Sequence, residues 1–533
     1  MKKRPNKSKS EGKSDNGKSS SQNSRVAPMP PMSPRRKWVF RLLALVVMPL
    51  LLLLFLFAAT EIGLRIGGYG YDTHFFRPIH MGGRKYFISN ENFNLRFFPP
   101  QLARWPAPFI FPAKKPPDTI RIFIFGESAA MGDPQPAYSA SRYLHVLLRE
   151  RFPGKKFEVI NTGITAIDSH VILPIARECA RHDGDFWIIY MGNNEMVGPY
   201  GAATVFGARA LPRWAVQFNL ALQQTRTGQL LVSELRKLGG KPQNTSWGGM
   251  EMFLKNQIAP GDPRKETVYR NFAANLRDIV AAGIYSGAKV ILNTVSVNLK
   301  NCPPFASLAD SNLPAADRQH FDQIYTEAKS LQAQSNFLAA DGLFAQAVKL
   351  EPQFAGAHFR LGQCELELTN AAASEQFQIA CDDDALPFRA DTRINTIIRQ
   401  VAQQYAGDRL ELCDAEQILA QSSPSHIAGD EIFWEHVHFN FDGNYRLGKI
   451  WAEQIARQLS AAGSPPATTN WASQESCDRA LGLSIWNRRF VLQIIMQRFD
   501  SPPFIGQFNN AGRLQKIRAK ELKLRQEEAQ PGA

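Results

Sequence analysis

Cysteine is scarce in this chain: six among 533 residues, with no two in C-x-x-C spacing. That spacing excludes a zinc ribbon or a dithiol redox motif as the organising principle. Cys179, Cys302, Cys364, Cys381, Cys413 and Cys477 are scattered, so no disulfide connectivity can be derived from them. A buried free thiol is the default for Cys179, which lies inside a helical stretch. Nucleic-acid-binding motifs are also missing, and with them the simplest explanation of the formal net charge of +14. Apolar residues are nearly absent from the first 36 positions, where Lys, Arg, Ser, Asn, Gln and Pro dominate. A segment with nothing to bury does not fold, so a disordered basic tail is expected over residues 1–37.

Past the tail the composition reverses. Leu42 to Ala59 is an apolar run of 18 residues without one charge, preceded by Trp38, Phe40 and the basic residues Arg35, Arg36, Lys37 and Arg41. The length suffices to cross a bilayer, and the flanking charge predicts a cytoplasmic N-terminus, with everything after Thr60 outside. A cleavable signal peptide is the competing reading. Its apolar core is usually shorter, its leader is shorter too, and only Ala58-Ala59-Thr60 offers a small-residue cleavage site. A retained anchor over residues 38–60 is therefore expected. The basic tail then suits an anionic inner membrane surface.

Three distant pieces carry groups suited to hydrolysis: Gly126-Glu127-Ser128, Gly192-Asn193-Asn194-Glu195 and Glu435-His436-Val437-His438. The first two close the apolar runs Ile122–Phe125 and Phe186–Met191, which read as buried strands. Asn161-Thr162-Gly163 closes a third, Phe157–Ile160. A serine hydroxyl needs a base, and a developing oxyanion needs aimed donors. His438 is the candidate base, with Glu435 three residues before it as orienter. His436 and His438 could instead form a metal pair, but no cysteine or third histidine stands nearby, so neither a metal nor a cofactor is expected.

Serine, glycine, asparagine and histidine in this order resemble the SGNH (GDSL-type) hydrolase family, and Gly443 stands where that family's last motif often has glycine. The resemblance implies Ser128 as nucleophile, His438 and Glu435 as its partners, and an oxyanion hole from the N–H groups of Ser128 and Gly163 and the side chain of Asn194. Two positions depart from the pattern: the family usually has aspartate where this chain has Glu127 and Glu435.

The remaining sequence alternates strands and helices from Thr119, as a parallel sheet with helices on both faces requires. We expect strands at 119–128, 157–161, 186–191 and 289–297, with helices at about 141–151, 169–181, 266–285 and 445–459. Sites then fall at the carboxyl ends of strands. The expected class is α/β, a flavodoxin-like three-layer parallel sheet, with core parts at 118–317 and 401–460. Residues 61–117 read as an irregular wrapping segment. Residues 196–262 include an amphipathic helical region, Trp214 to Leu238, which could form a lid or wall of the site, although packing on the surface is the stronger expectation. Within a helical insertion at 318–400, Phe337, Ala340, Phe344, Ala347 and Pro352 have tetratricopeptide-repeat spacing, and Leu361-Gly362 opens a degenerate second copy. Fewer than three repeats rarely stand alone, so this pair should pack on the core; it could also bind a protein partner. Arg393 reads as a helix-surface arginine rather than an anion site. Residues 461–533 read as a linker, a helical stretch and a charged, frayed tail helix.

The expected function is an extracytoplasmic (periplasmic) serine esterase working through an acyl-enzyme. Its substrate would be an ester, with acetylated cell-surface carbohydrate ahead of lipid. An O-acyltransferase using the same triad is the nearest alternative. A membrane-tethered scaffold with an inert core is the alternative from another class, and the intact set Ser128, Gly163, Asn194 and His438 argues against it.

Overall fold

A computed structural model describes residues 33–238, 246–407 and 409–530. Most of the expected disordered tail lies outside the described residues. The chain forms two units, one ending at Gly67 and the other running from Gly68 to the C-terminus.

The first unit is one helix, α1, Pro34–Ile66. It begins three residues before the expected end of the tail, because Ser33 caps the Arg36 amide and Pro34 occupies the first turn, where its missing N–H costs nothing. At 33 residues it is about 50 Å long, and it is apolar enough to be a membrane span.

The second unit opens with a small antiparallel sheet, β1 (Phe76–Met81), β2 (Arg84–Ser89) and β3 (Ile110–Pro112). The wrapping segment is therefore partly regular, which its Pro-rich composition concealed. Its aromatic side chains Phe75, Phe76 and Phe111 are buried, and Glu178 accepts the amides of Phe75 and Phe76 at 2.9 and 3.2 Å.

The main sheet has five parallel strands: β4 (Thr119–Gly126), β5 (Lys156–Asn161), β6 (Phe186–Tyr190), β7 (Lys289–Asn293) and β8 (Leu410–Cys413). Their order is β5-β4-β6-β7-β8. The fourth expected strand ends at Asn293, well short of 297. The short β8, with only Leu410 and Cys413 buried, carries too little pattern to be read from sequence. All of β6 is buried, which requires cover on both faces.

Helices supply the cover. The turn α2 (Ser128–Met131) leads to α3 (Ala140–Arg151) and, past β5, to α4 (Ser169–Cys179). Then come α5 (Arg213–Leu222), α6 (Arg226–Leu238) and α7 (Pro263–Tyr285). Four insertion helices come next: α8 (Ala315–Ala333), α9 (Phe337–Leu350), α10 (Ala355–Glu367) and α11 (Ala373–Asp382). The chain closes with α12 (Thr392–Gln404), α13 (Ala415–Gln421), α14 (Phe441–Ala461), α15 (Gln474–Ala480), α16 (Ile485–Phe499) and α17 (Asn510–Glu528). Helix α3 packs on α14, and α7 on α4 and α12. In the insertion, Ala340, Phe344 and Ala347 are fully buried, so the small residues do permit close helix approach. Asp384, just past α11, accepts the amides of Phe305 and Ala306, tying these helices to the core. The tail helix is packed rather than frayed: Leu514 and Ile517 share a cluster with Val491, Ile495 and Phe441. All six cysteines are buried and free.

Arg121 holds the wrapping segment to the sheet. Fully buried, its guanidinium donates to Glu158 at 2.8 Å, the His182 carbonyl at 2.8 Å and the Pro112 carbonyl at 2.9 Å. Arg121→Ala leaves a carboxylate and two carbonyls without their partner. The expected cost is about 3 kcal/mol, read as a lower denaturation midpoint of the full-length protein in detergent. An unchanged midpoint would show that the clamp contributes nothing.

Candidate active site

Local geometry explains why each piece of the site sits where it does. Gly126 ends β4 so close to β6 that a Cβ would stand 2.1 Å from the Tyr190 carbonyl. The strand then turns into α2, placing Ser128 at a helix start, where the backbone leaves N–H groups without internal partners. Gly192 at the end of β6 has φ +142°, and a Cβ there would strike Ile394. The loop carrying His438 is a tight hairpin: Phe433 bridges Phe439, and the Trp434 amide donates to the His438 carbonyl at 2.8 Å. Gly443 lets α14 begin against this loop, since a Cβ would lie 2.1 Å from the Ile432 carbonyl.

Ser128 Oγ and His438 Nε2 are 2.8 Å apart, although 310 residues separate them in sequence. The other ring nitrogen, Nδ1, bonds to Glu435 Oε1. Arg498 Nη1 lies 3.3 Å from the same Nδ1 and donates to Glu435 Oε1 at 3.1 Å. The carboxylate is the nearer partner of Nδ1, which assigns it the proton and leaves Nε2 as an acceptor facing the hydroxyl. A hydroxyl, an imidazole and a buried carboxylate in this order can move a proton off the serine.

Glu435 is fully buried. Burial alone would raise its pKa, yet His438 and His436 beside it hold the carboxyl well below the usual range. Its second oxygen accepts the amides of His436 at 2.5 Å and Val437 at 3.3 Å. Arg498 also pairs with Asp133; against the effect of burial, that guanidinium holds the Asp133 carboxyl below its ordinary value. Arg513 from α17 binds Asp430 at 2.6 Å, and Asn298 donates to the Glu435 carbonyl at 2.6 Å. Sequence reading missed Arg498, Asp133 and Arg513. No local spacing marks them; two sit in what reads as a tail.

Glu127 gives its longer arm a visible task. Its carboxyl accepts the amides of Gly192 at 3.1 Å, Asn193 at 2.9 Å and Asn194 at 3.3 Å, fixing the loop that presents Asn194. The Asn194 side-chain nitrogen is buried and has no hydrogen-bond partner, while the residue lines the same pocket as Ser128. A buried donor left unpaired is one available to a ligand. Gly163 is less free. Its amide donates to Asn161 Oδ1 at 2.9 Å, and the Asn161 amide is itself held by the Ala130 carbonyl and Ser141 Oγ.

The pocket has a volume of about 380 Å³. Beyond Ser128, Asn194, Glu435 and His438, its walls include Arg104, Trp247, Phe253, Phe388, Ile494 and Phe504. The Arg104 guanidinium lies over the Trp247 ring, 4.5 Å from its centre. The 196–262 insertion thus walls the pocket with Val197 and the stretch from Trp247 to Phe253, not with the amphipathic helices α5 and α6. Arg393 lies elsewhere, paired with Glu266 at 2.6 Å on the surface. Glu435, His436 and His438 also place three metal-capable atoms within 4.8 Å of one another, but both ring nitrogens of His438 already face protein partners. No family model and no curated protein matches this chain.

Three buried acids adjoin the site. Burial first, then the neighbouring Glu195, raises Glu127 to about 8. Burial raises Glu195 to about 7, against the Ser169 hydroxyl and amide that it accepts. Asp168 is also raised, by burial and by these two carboxyls. An acid whose folded-state pKa is raised favours folding fully only below its unfolded value, and that stability is lost as pH rises through the folded value. The unfolding midpoint should therefore fall as pH rises from about 4.5 to about 8. Glu127→Gln, which cannot ionise, should flatten that slope in pH-resolved denaturation; an equal slope would show that Glu127 does not titrate in this window.

Proposed function

We propose that this chain is a membrane-anchored serine esterase of the SGNH type, with a flavodoxin-like core and a tetratricopeptide-like helical insertion. The observation that carries the reading is the hydrogen-bonded chain from Ser128 through His438 to Glu435 at the wall of one pocket. Ser128 Oγ attacks the ester carbonyl while His438 Nε2 takes its proton. The oxyanion meets the Ser128 amide and the Asn194 side chain, with Gly163 joining when Asn161 releases its amide. His438 then protonates the leaving alkoxide, and water resolves the acyl-enzyme by the same proton path in reverse.

The pocket volume is at the small end for ligand sites, which favours a short acyl group over a long chain. Aromatic walls with Arg104 over Trp247 suit a polar carrier, and O-acetylated carbohydrate outside the cytoplasm is the substrate class we assign. The basic residues before the apolar helix support a cytoplasmic N-terminus.

Full-length protein in detergent should hydrolyse p-nitrophenyl acetate and be labelled by a serine-directed phosphonate, and Ser128→Ala should abolish both. Wild-type turnover in that variant would sink the assignment. Glu435→Gln keeps size but removes the charge that holds the imidazole; a loss on the order of ten- to a thousandfold in kcat is expected. His438→Ala should cost more. If Glu435→Gln leaves kcat untouched at neutral pH, another group orients His438.

A further inference from the structure

Helices α5 and α6 follow one another across the short turn 223–225, and their apolar residues are only partly used by the fold. On α5, Val216 is buried, whereas Trp214 and Phe218 are 73% and 67% exposed, one turn apart. On α6, Gly228 and Gln229 in the first turns are buried, while Leu231, Leu235 and Leu238 are 49%, 56% and 83% exposed. Positions 231, 235 and 238 follow the i, i+4, i+7 rule, so they form one stripe. Arg236 and Lys237 are exposed on the opposite face of the helix; Glu234, bound to Lys237 at 2.7 Å, is the sole acid of α6. An apolar stripe with basic residues on the polar face is the composition of a helix that lies in a membrane interface.

The chain itself says which surface is near. Gln229 clamps Tyr71 in both directions: its Oε1 accepts the Tyr71 amide at 3.0 Å and its Nε2 donates to the Tyr71 carbonyl at 3.1 Å. Gly70 is pressed against the same side chain, with φ +82° and no room for a Cβ. The apolar helix α1 ends at Ile66, five residues before Tyr71. Five residues reach at most about 17 Å. If α1 spans a bilayer over residues 38–60, the six helical residues to Ile66 add about 9 Å, and the chain between the bilayer and Tyr71 reaches at most about 26 Å.

We infer that α5 and α6 dock their apolar stripes into the bilayer surface on the side that holds the second unit, with anionic headgroups paired to Arg236. This rests on the membrane anchoring proposed above. Docking holds the hydrolase body at the membrane surface rather than at the end of a free tether. The tether length and the basic polar face favour lipid over a second copy or a protein partner.

The test uses the full-length chain with Leu235→Cys labelled by bimane, one copy per nanodisc, in phosphatidylethanolamine and phosphatidylglycerol with brominated acyl chains. The native thiols are buried and leave the label selective. Leu338→Cys on α9, 75% exposed, is the control. A label sunk into the acyl boundary should lose about half its emission relative to unbrominated lipid, while the control keeps its emission. A chain that resists alkaline extraction yet carries an unquenched label at 235 overturns the docking and leaves the anchor standing. A chain released by alkali overturns both. A label shielded only when two copies share a disc assigns the stripe to self-association and also overturns the docking.

Discussion

Glu435 is a carboxylate with no access to water, and its charge must be answered from inside the protein. Isolated burial of such a charge would cost several kcal/mol, so the fold brings partners from two separate stretches. His436 and His438 come from its own hairpin and Arg498 from α16, while Asn298, in the loop after β7, holds the Glu435 backbone carbonyl in place. Arg498 cannot serve Glu435 alone without an excess of positive charge, and Asp133, five residues after Ser128, balances it. The hairpin, the turn after Ser128 and the C-terminal helices are therefore one electrostatic unit.

A different buried carboxyl, raised to about 8 by burial and by Glu195, organises the opposite side of the pocket. Three consecutive amides, at Gly192, Asn193 and Asn194, point at one carboxyl, and they keep the loop after β6 in a single conformation. Glu127 is the residue immediately before Ser128, so the loop and the Ser128 hydroxyl are positioned by neighbouring atoms. That coupling gives Asn194 a fixed place without using its side chain, whose amide remains unpaired at the pocket. Pre-set donors of this kind need no reorganisation when charge develops before them. The Glu127 carboxyl is the group that reaches the loop.

Much of the core was legible because a parallel sheet writes itself into sequence as continuous apolar runs. Ile122–Phe125 and Phe186–Met191 each lie in or beside strands buried on both faces, and the polar residues after each run mark strand ends. Boundaries failed where the pattern was weak: β8 buries two residues, and β1 to β3 hide within a stretch dense in proline. The packed α16 and α17 were read as periphery, since their apolar residues are diluted by charges that the fold pairs internally.

Sequence by itself determined the apolar helix, the strand ends and the order of the site groups, because each arises from local pattern: hydrophobic length, period and turn residues. It also carried the pairing of Glu435 with His438, three positions apart in one hairpin. Tertiary structure alone decided that Arg498, Asp133 and Arg513 surround that pair, that Trp247 and Arg104 wall the pocket, and that Gln229 clamps Tyr71. Contacts across hundreds of residues leave no period or spacing in a single chain; only folding, by bringing charges and backbone amides into a dry interior, makes them obligatory.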